Sequence, residues 1–115
     1  MIATAPLSPL IERLTTELGI SRAEFASALD ASERSVARWT AGNTFPQHES
    51  RARLETMTAL ADRLRESFTE EDAAIDWLHA PSGYFGGLAP IDALLRGRFD
   101  RVEAALEALD AGIFV

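Results

Sequence analysis

A chain of 115 residues, 47% hydrophobic and without cysteine, is long enough for one small domain or two closely packed helical subdomains, and it excludes disulfides, thiolate catalysis and cysteine-ligated zinc. The net charge of -7 is uneven: residues 1–57 hold six arginines against seven acidic residues, and residues 58–115 hold five against eleven. The first half can therefore approach a phosphate backbone if its arginines share a face, whereas the second is repelled by nucleic acid and suits a protein partner.

In chain order, Ser8-Pro9 opens a first helix, with Ser8 as the expected cap, and Leu10, Ile11, Leu14 and Leu18 recur at helical spacing before Gly19 stops the run. Ser21 and Glu24 have the spacing of a capping box, which starts a second helix carrying Phe25 and Leu29 on one side. After the polar turn Asp30-Ala31-Ser32, a third helix runs from Glu33 to about Ala41 and ends at Gly42, with Ser32 as its cap. Val36 and Trp39 belong on its inner face, and a tryptophan there reads as core rather than as a stacking group. A connector containing Pro46 leads to a longer helix from about Ser50 to Ser67, with Leu54, Met57, Leu60, Ala61 and Leu64 on one stripe and Arg63, Arg65 and Glu66 on a solvated face.

Thr69 to Asp72 reads as a cap for a short helix through Trp77 and Leu78, which Pro81 and the glycines of PSGYFGG terminate. Pro90 starts a further helix, Gly97 breaks it, and Asp100 with Glu103 is the expected acidic cap of a last helix lined by Val102, Ala105, Leu106 and Leu109. No segment shows strand periodicity. The expected fold is all-α, with a seam near residues 67–69 that divides a domain at 8–67 from a smaller one at 68–115.

Two short capped helices joined by a tight turn, with a supporting helix before and a longer one after, describe a helix-turn-helix unit. This placement lets Arg34, Ser35 and Arg38 meet base edges or phosphates, and puts Ser21 and Arg22 where a second-helix N-terminus meets a phosphate; acidic Glu33 beside them also fits a helical bundle that has lost DNA contact. Residues 21–42, SRAEFASALDASERSVARWTAG, resemble the Xre type of helix-turn-helix domain of lambda-repressor-like regulators.

The second half is more specific. Gly86-Gly87 lacks a following Gly-Lys-Ser/Thr, so it reads as a tight turn and not as a nucleotide loop. Residues 77–115 resemble the toxin-binding domain of the MbcA, ParS and Xre antitoxins at Trp77, Leu78, Pro81, Gly87, Pro90, Asp92, Leu94, Leu95, Gly97, Val102, Leu109 and Gly112. Ser82 stands where asparagine is common, and Tyr84 and Phe85 occupy a loop that usually holds a leucine and small residues. SVARWTAG followed by Pro46-Gln47, together with the Gly-Ile-Phe-Val ending, is most similar to the mycobacterial MbcA branch.

The resemblance implies a type II antitoxin that binds and neutralises a RES-domain, NAD-consuming toxin by blocking its NAD pocket with the C-terminal region. It also implies operator binding and autoregulation, as a homodimer or within a larger toxin–antitoxin hetero-oligomer. The candidate residues for toxin contact are Trp77, Asp92, Arg96, Arg98, Arg101, Ile113, Phe114 and Val115. From the residues alone, Asp92 also fits a structural role at a helix start, the three arginines fit a solvated face, pairs with Glu103 or Glu107, or an acidic site on the partner, and the apolar tail fits either a partner cleft or its own core.

The competing reading is a stand-alone helix-turn-helix transcriptional regulator whose second half dimerises. An enzyme is not expected, since neither histidine has a neighbouring nucleophile or acid and Asp72 with Asp76 reads as a solvated face. His48 and His79 lack metal-ligand spacing, and no metal or other cofactor is expected. MIATAPLSPL lacks the basic residues of a signal peptide and no apolar run is long enough for a bilayer, so the expected location is cytoplasmic, away from membranes.

Overall fold

The computed structural model describes residues 7–112, all of whose regular elements are helical. They are α1 (Ser8–Leu18), α2 (Arg22–Ala28), α3 (Glu33–Ala41), α4 (His48–Ser67), α5 (Glu71–His79), a 3-10 turn (Gly83–Phe85), α6 (Pro90–Leu95) and α7 (Phe99–Asp110). The expected all-α architecture, a helix-turn-helix bundle followed by a smaller helical unit, is the one observed.

Helix α4 is central, packing against α1, α5 and α7, while α2 touches both α3 and α6. Ile11, Leu14 and Leu18 of α1, Phe25 of α2, Val36 and Trp39 of α3, the α4 stripe, Leu78, Leu94, Val102 and Leu106 form one continuous apolar cluster. Each fully buried leucine or phenylalanine contributes roughly 1.5–3 kcal/mol relative to an exposed one. The cluster spans both halves of the chain, so the bend at residues 67–69 does not divide the core. Phe68 is extended there, and its ring meets Trp77 at 5.9 Å between centroids.

Several expected starts are displaced. Ser8 does not cap α1: the Leu7 carbonyl accepts from Ile11 N–H at 2.9 Å, which closes the first turn one residue earlier and takes Ser8 into the helix. Helix α4 begins at His48, because the Gln47 carbonyl accepts from Arg51 N–H at 2.8 Å. Helix α5 is entered through Glu70 without a side-chain cap, so Thr69 and Asp72 do not perform that role. Asp100 lies inside the first turn of α7, where its carboxylate holds the Arg98 guanidinium at 3.2 Å, so it is not the cap residue ahead of the helix.

Arg63 and Arg65 are likewise not simply solvated. Arg63 reaches Asp110 at 3.4 Å, joining α4 to the end of α7, and Arg65 lies 3.7 Å from Glu17 and from Asp62. Arg13 binds the same two carboxylates at 3.0 and 2.6 Å, so two arginines and two acids tie α1 to α4. Exposed pairs of this kind contribute about 0–1 kcal/mol each, which makes the apolar cluster the main source of stability.

Polar links fix the two halves further. His79 Nε2–H donates to the Leu18 carbonyl at 2.9 Å, and the Ser27 hydroxyl donates to the Leu95 carbonyl at 3.1 Å. Arg53 of α4 donates to the Ala28 carbonyl at 3.3 Å, at the end of α2. Its guanidinium passes directly over Gly97, where φ is +76° and a β-carbon would run into Nη1. Gly97→Ala should therefore strain the backbone and displace Arg53, lowering stability by about 1–2 kcal/mol. Urea unfolding should show a reduced midpoint at unchanged slope; an unchanged midpoint would contradict this latch.

Candidate functional site

Two surfaces carry the residues singled out in the sequence. The first is built on α2 and α3. Ser21 and Glu24 form the expected capping box: the Ser21 Oγ accepts from Glu24 N–H at 3.1 Å and the Glu24 carboxylate accepts from Ser21 N–H at 2.9 Å. The Ser21 amide is therefore already engaged by a carboxylate, leaving exposed Arg22 as the side chain at this helix start with a charge to offer a phosphate. Leu29 to Ser32 turn the chain, with Asp30 in the left-handed region at φ 56°.

Ser32 caps α3 by accepting from Ser35 N–H at 3.0 Å, and the two hydroxyls share a further hydrogen bond at 3.1 Å. Ser35 is consequently half-buried and tied to the cap rather than turned fully outward, whereas Arg34 and Arg38 are exposed. Trp39 is 6% exposed and belongs to the core, as its place in the helix predicts. Ser35 and Arg38 border a cleft of about 440 Å³ whose rim includes Phe45, which is 40% exposed. Phe45 was not identified from the sequence; a phenylalanine directly before Pro46 in a polar connector is the available signal.

The second surface is built by α6, α7 and the loop before them. The loop closes on itself: Ser82 N–H donates to the Leu88 carbonyl at 3.0 Å, and Gly87 N–H donates to the Ser82 carbonyl at 2.9 Å. Gly86 and Gly87 adopt φ of 67° and 96°, so the pair does form the tight turn expected of it. Leu88 leaves this turn 52% exposed. Ala89 N–H then donates to Asp92 Oδ2 at 2.9 Å, which gives Asp92 the structural role at the start of α6.

Arg96, Arg98 and Arg101 come together with Phe85, Leu88, Ala89, Asp92 and Ala93 around a notch of about 170 Å³. The Arg101 guanidinium lies over the Phe85 ring, 5.9 Å from its centroid. Arg98 pairs with Asp100, not with Glu103 or Glu107, and its hydrogen bonds hold the Asp100 carboxyl below the usual carboxylate range. Arg96 and Arg101 make no ion pair among the described residues. Trp77 is not brought to the notch; it is half-buried beside Phe68. Ile113, Phe114 and Val115 lie outside the described residues. Phe85 and Leu88 also line the notch and were not among the candidates read from the sequence; for Leu88, an apolar residue between a glycine pair and a helix-opening proline is the available signal.

Among the described residues no cluster of three or more histidines and acids could hold a metal ion, and no helix is long and apolar enough to cross a membrane. Residues 63–112 match the family model of the antitoxin Xre/MbcA/ParS C-terminal toxin-binding domain. The whole chain is also 35% identical over 114 residues to the mycobacterial cidal antitoxin MbcA of Mycobacterium tuberculosis, covering 99% of this chain and 96% of that protein. The chain belongs to the Xre/MbcA/ParS antitoxin family.

A further member of the family's mycobacterial branch, a probable mycobacterial cidal antitoxin of Mycobacterium tuberculosis, is 30% identical over 98 residues, covering 84% of this chain and 82% of its own length. Among solved structures, a chain from the crystal structure of the M. tuberculosis MbcT-MbcA toxin-antitoxin complex superposes with a TM-score of 0.69 at 34% identity, covering 96% of this chain and 99% of that one. The matched family segment begins at Arg63, inside α4, and so runs across the bend at residues 67–69. Membership of an antitoxin family agrees with the expectation that the chain is not an enzyme.

Proposed function

We propose that this chain is the neutralising partner of a toxin–antitoxin pair, and that its toxin is a RES-domain enzyme that consumes NAD. The observation that carries this reading is the similarity, along nearly the full length of both chains, to a chain solved in a toxin–antitoxin complex. In this reading the C-terminal region, with Trp77, Asp92, Arg96, Arg98, Arg101 and the tail Ile113–Val115, covers the toxin's NAD pocket. Asp92 acts by fixing the start of α6, Arg98 stands paired with Asp100, and Arg96 and Arg101 meet the partner directly. The protein works in the cytoplasm, without a cofactor, as a homodimer or within a larger toxin–antitoxin assembly.

Residues 8–67 serve as the operator-reading unit and 68–115 as the toxin-binding unit. Support for DNA reading comes from the arginines: Arg22, Arg34 and Arg38 are exposed on the helix-turn-helix and make no ion pair among the described residues, so they are available to phosphates or guanine edges. Ser21 and Ser35 contribute by fixing the starts of α2 and α3. The acidic second half keeps the rest of the molecule away from the duplex.

The toxin reading is tested by following NAD consumption by the cognate toxin while the purified chain is titrated in. Loss of NAD consumption at a fixed stoichiometry, with both chains co-eluting, is expected. Removing Ile113–Val115 should weaken neutralisation at least tenfold with little change in helicity. Undiminished NAD consumption and separate elution would favour the stand-alone regulator. For the operator, a gel-shift titration should show that Arg34→Ala with Arg38→Ala weakens binding about tenfold or more per arginine and leaves toxin inhibition intact. Equal operator affinity would move the DNA surface elsewhere.

A further inference from the structure

The notch on α6 and α7 has a chemistry more specific than general contact. Its walls carry three guanidiniums and one carboxylate, in the half of the chain whose overall charge is strongly negative. The four charges are not equivalent. Arg98 is occupied by a two-point pairing with Asp100, and Asp92 is directed by its Oδ2 to the Ala89 amide. Arg96 and Arg101 keep their hydrogen-bonding capacity for carboxylates, and Arg101 is steadied by the Phe85 ring beneath it. Beside them stands Leu88, one of two large hydrophobic residues exposed among the described residues. The loop hydrogen bonds from Ser82 and Gly87 fix the backbone that presents it.

An isolated exposed leucine is ordinary, and so is a solvated arginine. Here both stand on the rim of one concavity, which is the arrangement that lets a partner bury an apolar side chain and satisfy a charge together. We infer that the notch receives a segment of the toxin in which an apolar side chain covers Leu88 and a neighbouring aspartate or glutamate is held by Arg96 and Arg101. This rests on the toxin-binding reading above. The occupant is acidic because the unpaired groups are cationic, and it is protein because the negative charge of the surrounding half repels a polyphosphate chain. Elsewhere on this half an acidic segment meets like charge, so the notch also sets the register of docking.

The test uses the full chain and its cognate toxin, with affinity measured by calorimetry at two salt concentrations and folding checked by circular dichroism. Wild type should bind with an affinity that falls as salt rises. Arg96→Glu with Arg101→Glu should weaken binding at least a hundredfold and flatten the salt dependence. Leu88→Ser should weaken it about tenfold and leave the salt dependence in place, a division that general destabilisation would not produce. All three residues are at the surface or half-buried rim, and the milder Arg96→Gln with Arg101→Gln repeats the measurement if the charge reversal disturbs folding. Wild-type binding with every variant within threefold would overturn the notch while leaving the toxin reading intact. No binding by wild type would remove the toxin reading and the notch with it. Loss of operator binding by the reversed variant, with toxin affinity kept, would overturn the inference in favour of a nucleic-acid contact.

Discussion

The apolar stripe of α4 has to be covered on more than one side, and that need organises the molecule. Leu54, Met57, Leu60, Ala61 and Leu64 are all buried, yet no single neighbouring helix conceals them: α1, α5 and α7 all pack against α4. Helices from both halves of the chain are therefore recruited to one core. The consequence is mechanical as well as energetic. The helix-turn-helix shares its supporting helix α4 with the segment that matches the family model. The Arg53 bond across Gly97 to Ala28 and the Ser27 bond to Leu95 then fix the end of α2 to the turn between α6 and α7.

Charge is divided along this frame. Arg13, Arg63, Arg65 and Arg98 are consumed by carboxylates of the chain itself, and Arg53 by a backbone carbonyl. Those that make no ion pair among the described residues include Arg22, Arg34 and Arg38 on α2 and α3, and Arg96 and Arg101 around the notch. An overall acidic protein thus keeps two small cationic areas, one on the helix-turn-helix and one on α6 and α7. Each has an exposed aromatic or aliphatic residue beside it: Phe45 near Arg38, and Leu88 near Arg96.

Much of the fold was legible because it follows from local rules. Helical spacing located the stripe of α4, Ser21 with Glu24 and Ser32 located two helix starts, and Gly19, Gly42 and Gly97 located three ends or breaks. Legibility failed where two local solutions compete. Thr69 and Asp72 have the right spacing for a cap, but the chain enters α5 through Glu70 instead; Asp100 has the right chemistry for one, but α7 starts a residue earlier and takes it into the first turn beside Arg98. Pairs such as Arg63 with Asp110 depend on the packing of α4 against α7, which periodicity does not reveal. The arginines of the candidate toxin surface were identified from the chain, whereas Leu88 was not, because its exposure depends on how the glycine turn closes. The half-buried packing of Trp77 against Phe68 likewise depends on the bend between α4 and α5, which spacing alone does not reveal.

The central claim is that toxin and operator meet different faces of one shared core. Hydrogen–deuterium exchange of the chain, alone and saturated with its cognate toxin, tests it most directly. The account predicts added protection through the loop at 82–89, α6, the start of α7 and the C-terminal end, with the outer face of α3 unchanged. Protection concentrated on α2 and α3, with the α6–α7 surface exchanging as before, would contradict it.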